Sequence, residues 1–119
     1  MNPTDYRNLA ALAMSEDELQ NNIISPSRNN PGLAPRLGYM CYHTHDSRRS
    51  TAGFPDLVMV GPHRLIFAEL KKEKGVATAA QLDWLNRLDV IERKSEGLVV
   101  ARLWRPSDWL SNEIEEVLR

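Results

Sequence analysis

Only one cysteine, Cys41, occurs in the chain, so no disulfide can close within it. That excludes a disulfide-stapled secreted scaffold and suits a reducing compartment. No apolar run approaches the ~20 residues that a membrane-spanning helix needs. The N-terminus lacks the basic-then-apolar pattern of a signal peptide, and a cytoplasmic location is expected. Neither charge sign dominates. Fifteen Lys and Arg stand against sixteen Asp and Glu, a net charge of −1. The whole chain therefore does not advertise binding to a polyanion. No repeat or low-complexity tract is visible. The length of 119 residues suits one domain with a modest core.

The charge is unevenly distributed. From Arg36 to Lys74 seven basic residues face four acidic ones, a net of +3. From Pro106 onward four acids face Arg119, a net of −3. The basic stretch contains Arg48, Arg49, Lys72 and Lys74, a distribution suited to a phosphate backbone.

Local signals place the elements. Residues 4–14 are Ala/Leu-rich and read as a short helix, an N-terminal extension. Ser15 with Glu18 makes a capping box that opens a helix carrying Leu19, Ile23 and Ile24. Pro26, Pro31, Gly32 and Pro35 make residues 25–35 an insertion that no helix crosses. Residues 39–44 read as a strand and 46–53 as a polar loop. Leu57-Val58-Met59-Val60 and Leu65-Ile66-Phe67-Ala68 are nearly continuous apolar runs around the Gly61-Pro62-His63 turn. They read as strands of an antiparallel hairpin, buried on both faces. Thr78 with Gln81 opens another helix, to about Val90. Residues 98–104 read as a strand that returns parallel to its predecessor. Residues 107–119 read as one closing amphipathic helix. The expected fold class is α/β, a small mixed sheet flanked by helices.

Chemistry concentrates at the open end of the hairpin. Counting inward from Asp56 and Glu69 reaches the turn at its midpoint, so the two carboxylates face each other. Side chains alternate along a strand, which puts Lys71 on the side of Glu69. Two carboxylates and an ammonium at one spot suit metal-assisted attack of water on a phosphodiester. An internal salt bridge from Lys71 to Glu69 or Asp56 would also relieve the desolvation of buried acids. Both readings stand on the residues alone. Cys41, His43 and His45 alternate along the preceding strand and raise a zinc reading, but a fourth ligand is missing.

Pro55-Asp56 followed by Glu69-Leu70-Lys71 resembles the core of the PD-(D/E)XK nucleases. Further blocks match in order: residues 43–50 (His-Thr-His-Asp-Ser-Arg-Arg-Ser), 53–58 (Gly-Phe-Pro-Asp-Leu-Val), 67–71, 81–85 (Gln-Leu-Asp-Trp-Leu) and 104–108 (Trp-Arg-Pro-Ser-Asp). Together they resemble the virus-type replication-repair nuclease (VRR-Nuc) family over about residues 15–110. A short chain with little else resembles its stand-alone phage and bacterial members, which cut branched DNA as homodimers.

The resemblance implies a restriction-endonuclease-like core and a role for each matched residue. Asp56 and Glu69 would hold Mg²⁺ or Mn²⁺, with the backbone carbonyl of Leu70 as a further oxygen; such hard ligands disfavour zinc. Lys71 would stand near the attacking water. Family members carry an acid on the first helix, four residues ahead of a glutamine. Glu16 and Gln20 match that spacing, and Glu18 is the competing choice. Gln81 would hold Glu69, the phosphate or a water, or serve only as a helix cap; Trp84 reads as core packing. Ser47, Arg48, Arg49 and Ser50 carry donors for DNA phosphates. Gly53 would let DNA come close, and His43 would face the DNA or the active site, or serve only the sheet. Lys72 and Lys74 belong to the same interface. The insertion at residues 25–35 departs from the family pattern, in which a longer helix ends directly at the strand. The implied activity is resolution of four-way (Holliday) junctions by a homodimer, leaving 5′-phosphates. Flap cutting or nicking with the same site, and a non-catalytic adaptor for branched DNA, are the alternatives.

Overall fold

A computed structural model describes residues 1–25, 27–45 and 51–119. Helix α1 (Pro3–Ala13) starts on a reciprocal cap between Asn2 and Asp5. Helix α2 (Glu16–Ile24) starts at Ser15, whose hydroxyl oxygen accepts the Glu18 N–H at 3.1 Å. Glu18 does not complete the box: its carboxylate accepts from the Ser15 hydroxyl. Helix α3 (Leu33–Arg36) is a single turn within the insertion. Pro35 fits there because the first turn of a helix has no intrahelical partner for its N–H groups.

Strands β1 (Met40–His43), β2 (Leu57–Val60) and β3 (Leu65–Leu70) follow, then helix α4 (Ala79–Lys94) and strand β4 (Val99–Trp104). Among the described residues they form one four-stranded sheet in the order β1-β2-β3-β4. The first two pairings are antiparallel and β3–β4 is parallel. The fold is thus α/β with a mixed sheet flanked by helices, as expected. Helix α4 outruns its expected end by a turn, carrying Arg93 and Lys94 where cations suit the helix dipole.

The sequence from Pro106 onward corrects the expectation of one closing helix. It forms α5 (Pro106–Leu110) and α6 (Glu113–Leu118), broken at Asn112, which has a φ of 66°. Asparagine tolerates this left-handed conformation better than most residues.

Burial corrects the hairpin too. One face of the sheet is closed: Leu57, Met59, Ile66, Ala68, Leu70, Val100 and Trp104 are buried there. Leu19 and Ile23 of α2, Leu33 of α3, and Ile114 and Leu118 of α6 complete this core. Each such aliphatic side chain contributes about 1.5–3 kcal/mol on burial. The opposite face is only partly covered by α4, which has no fully buried residue. Val60 is 55% exposed there, and Met40 and Tyr42 of β1 also reach solvent. So β2 alternates buried and accessible positions instead of being buried on both faces. Among the described residues, no helix is long and apolar enough to cross a membrane.

Candidate functional site

The hairpin register pairs Leu57 with Ala68. One step further it sets Asp56 opposite Glu69, and another step sets Pro55 opposite Leu70. Proline has no N–H, so the ladder cannot continue there. Asp56 takes over: its Oδ2 accepts the Leu70 N–H at 2.8 Å. The carbonyl of Leu70 receives no N–H from Pro55 and keeps its lone pairs free of that pairing. From the other side, Thr44 N–H donates to the Asp56 carbonyl at 2.9 Å, and the Thr44 hydroxyl donates to the Pro55 carbonyl at 3.0 Å. Strand β1 thus fastens the Pro55-Asp56 pair.

Glu69 is buried, at 2% exposure. Its Oε1 accepts from Gln81 Nε2 at 2.9 Å. The other oxygen, Oε2, is buried and has no hydrogen-bond partner among the described residues. Burial pushes the Glu69 carboxyl up to about 8. Next come the proton it can share with Asp56 and the Asp56 charge, which raise it further; Lys71 opposes and Glu16 adds to the rise. Lys71 makes no ion pair with either carboxylate among the described residues. The salt-bridge alternative therefore lacks its contact, although the lysine's charge is felt at Glu69.

Gln81 does two jobs. Its N–H takes the Thr78 hydroxyl and its Oε1 accepts the Thr78 N–H at 2.8 Å, a complete capping box. Its amide nitrogen then points at Glu69. The cap and the site residue are one side chain, not alternatives.

A cavity of about 300 Å³ opens beside Asp56, lined by Glu16, Asp17, Gln20, His43, Thr44, His45, Asp56 and Leu70. Glu16 and Gln20 share it because four residues make one helical turn. Glu18 stays at the Ser15 cap, outside the cavity. His43 faces this cavity, its ring centroid 4.0 Å from that of His45. Asp17, Thr44 and His45 were not assigned from sequence. Only the pairing of β1 with β2 brings Thr44 to Asp56, and no local pattern announces that register.

Among the described residues, no three His, Cys, Asp or Glu side chains form a ready-made metal cage. Cys41, His43 and His45 therefore do not make a zinc site. The Asp56–Glu69 pair is a different arrangement, with two carboxylates, a carbonyl oxygen and space for water. Its partnerless buried Oε2 is an oxygen donor still lacking a positive partner, and hard oxygen donors of this kind fit Mg²⁺ or Mn²⁺.

The remaining assignments divide. Ser47, Arg48, Arg49 and Ser50 lie outside the described residues. Lys72 and Lys74 are exposed on the connection after β3. Arg105 braces that connection by donating to the carbonyls of Lys72 and Gly75 at 3.1 and 2.6 Å. Gly53 has a different reason from DNA approach. Its φ is +84°, and an added Cβ would meet the Ala80 carbonyl carbon at 2.4 Å. The missing side chain admits the first turn of α4. The single basic stretch is also corrected: Arg64 sits at the turn end of the hairpin, where its guanidinium donates to the Val117 carbonyl. It is separated from Glu69 by most of β3. Trp84 is only half-buried, so it is not a core residue.

Compared with known proteins, the chain matches no family model, no curated relative and no solved structure.

Proposed function

We propose that this chain is a divalent-cation-dependent endonuclease that hydrolyses DNA phosphodiesters, with branched DNA, four-way junctions first, as its substrate and a homodimer as its working form. One observation carries the reading. Among the described residues, Glu69 is buried beside Asp56 with one oxygen unpartnered, while the nearby Lys71 pairs with neither carboxylate. An arrangement built only for stability would close that ion pair instead of holding the buried acid neutral beside Asp56.

Asp56, Glu69 and the Leu70 carbonyl would hold Mg²⁺ or Mn²⁺, with Glu16 across the cavity. When bound, the cation supplies Lewis acidity and lowers the pKa of a water. The chain's own residues do the rest. Leu70 N–H fixes one Asp56 oxygen, and Gln81 fixes one Glu69 oxygen, so both carboxylates are held in place before substrate arrives. Lys71, which pairs with no acid among the described residues, would meet the negative charge that builds on the phosphate oxygens. Lys72 and Lys74, on the braced connection next door, neutralise flanking phosphates. Two-fold symmetry would present two such sites to the two strands of a junction.

The test is cleavage of a labelled four-way junction beside flap, nicked and linear duplex DNA, with Mg²⁺ or Mn²⁺ and with chelator. Asp56→Ala runs in parallel. Paired symmetric cuts that need the cation and vanish in the variant are expected. Cutting confined to flaps would move the substrate assignment. Junction binding that ignores the cation, with no cutting of any substrate, would replace the hydrolase with the adaptor reading.

A further inference from the structure

One turn beyond Gln81, helix α4 forms a second concavity. Ala80, Asp83, Trp84 and Arg87 fall on one helix face, and Thr51 with Ala52 close the opposite wall. The concavity, open to solvent on one side, has a volume of about 330 Å³ and a mostly apolar lining. Among the described residues, the carboxylate cavity shares no lining residue with it.

The indole is held from two directions. Trp84 Nε1 donates to the Ala52 carbonyl at 3.1 Å. Phe54 packs against the ring edge-to-face at 5.0 Å, and Phe67 in turn packs edge-on to Phe54 at 6.3 Å. An aromatic ring with fixed orientation, left partly exposed in a concave site, is a stacking platform. At the rim, Arg87 Nε and Asp83 Oδ1 pair at 3.1 Å, with side chains 80% and 65% exposed. So exposed a pair contributes little to stability. It does offer a planar donor group and a carboxylate acceptor side by side, which suits the mixed edge of a nucleobase.

We infer that this pocket receives an unpaired nucleobase of the DNA, stacked on Trp84 with its edge toward Asp83 and Arg87. This rests on the nuclease reading, because α4 sets the spacing. Gln81 holds Glu69, and Trp84 and Arg87 lie about 4.5 and 9 Å further along the helix axis. With bases rising about 3.4 Å per strand step, that span covers one to three nucleotides from a phosphate at Glu69. A base inside a duplex has both faces stacked on its neighbours and cannot use the platform. The pocket therefore selects DNA whose strands part close to the cut, which is the feature common to junctions and flaps.

The probe is 2-aminopurine, whose fluorescence falls on stacking. It is placed in turn at one, two and three nucleotides into the unpaired arm of a fork, and at the same positions in a fully paired duplex. Binding is read in chelator with the full-length Asp56→Asn chain, so no cutting intervenes. Quenching in the unpaired arm only is expected. Asp83→Ala and Arg87→Ala should each weaken the preference for the fork over the duplex, and together by about tenfold. Trp84→Leu should abolish the quenching, with circular dichroism reporting its fold; the two rim variants carry the test if it unfolds. Equal quenching in fork and duplex, or a preference untouched by the rim variants, overturns the pocket. The cation-free readout separates this from the hydrolase reading. A wild-type chain that cuts DNA without quenching loses the pocket and keeps the nuclease. One that quenches through Asp83 and Arg87 but never cuts keeps the pocket and loses the nuclease.

Discussion

The Leu70 N–H donates to Asp56 Oδ2 at 2.8 Å, at the level where Pro55 ends the β2–β3 ladder. The proline is therefore part of the site's construction. The missing N–H at position 55 leaves the Leu70 carbonyl without its ladder donor, while the Pro55 carbonyl, the ladder acceptor for the Leu70 N–H, instead accepts from the Thr44 hydroxyl at 3.0 Å, and that N–H goes to the Asp56 carboxylate. Asp56 is aimed and held by the same event that stops the sheet.

Substituting Asp56 separates fold from chemistry. Asp56→Asn keeps an oxygen for the Leu70 N–H and removes the charge. Its melting temperature in chelator should stay within a few degrees of the parent, while cation-dependent cleavage falls to background. Loss of folding in Asp56→Asn would show that the charge serves stability, and residual cutting at parental rates would remove Asp56 from the site.

Glu69 makes the cation-free protein sensitive to alkali. Its folded-state pKa is raised to about 8 from 4.5, chiefly by burial. Between those values the native chain binds more protons than the unfolded chain, so stability falls as pH rises and levels off above about 8. Thermal melts in chelator should therefore drop by on the order of 10 °C from pH 5 to pH 8. Glu69→Gln should flatten that drop. Mg²⁺ should raise the parental melting temperature most at pH 8, where the carboxylate is charged. A parental profile that rises over this window would contradict the shift.

Gln81 links a helix start to the Glu69 carboxylate. Gln81→Ala removes the Thr78 reciprocal bond and the Glu69 partner together. The expected stability cost is about 1 kcal/mol by urea unfolding. The expected loss of cleavage or cation affinity is roughly 10–100-fold, typical of groups that orient metal ligands. A stability loss with unchanged cation titration would reduce Gln81 to its capping job.

Two glycines share a φ of +84° and differ in surroundings. A Cβ at Gly97 meets nothing within 4 Å, whereas one at Gly53 meets the α4 backbone at 2.4 Å. Gly97→Ala should cost about 1–2 kcal/mol from the left-handed conformation alone. Gly53→Ala should cost clearly more and should lower cleavage, because it pushes α4, and with it Gln81, away from Glu69. Equal costs in paired denaturation curves would mean that α4 is free to shift.

Much of this architecture follows from short-range signals. The hairpin register was legible because equal apolar runs flank one turn, and a one-residue slip would move every side chain to the wrong face. Ser15 and Thr78 mark helix starts because a hydroxyl oxygen there accepts an N–H that the helix itself leaves free. Asp56, Glu69 and Lys71 were legible as a group for the same reason, since strand pairing and alternation alone bring them together. The break at Asn112 escaped because Trp109, Leu110, Ile114 and Leu118 keep an apolar pattern across it. The placement of Arg64 escaped because nearness along the chain is not nearness in space: five residues of extended strand carry a charge about 16 Å away.

The sequence by itself determined the strands, the helix starts at Ser15 and Thr78, and which two carboxylates face each other. These depend on hydrogen bonds and side-chain periodicities that span a few residues. Only the tertiary structure decided that Gln81 reaches Glu69, that Thr44 fastens Asp56, and that Gly53 admits α4. It also decided that one Glu69 oxygen is buried without a partner among the described residues. Each of these joins elements whose mutual distance is set by how the helices pack on the sheet, and packing depends on the whole set of buried shapes rather than on any local pattern.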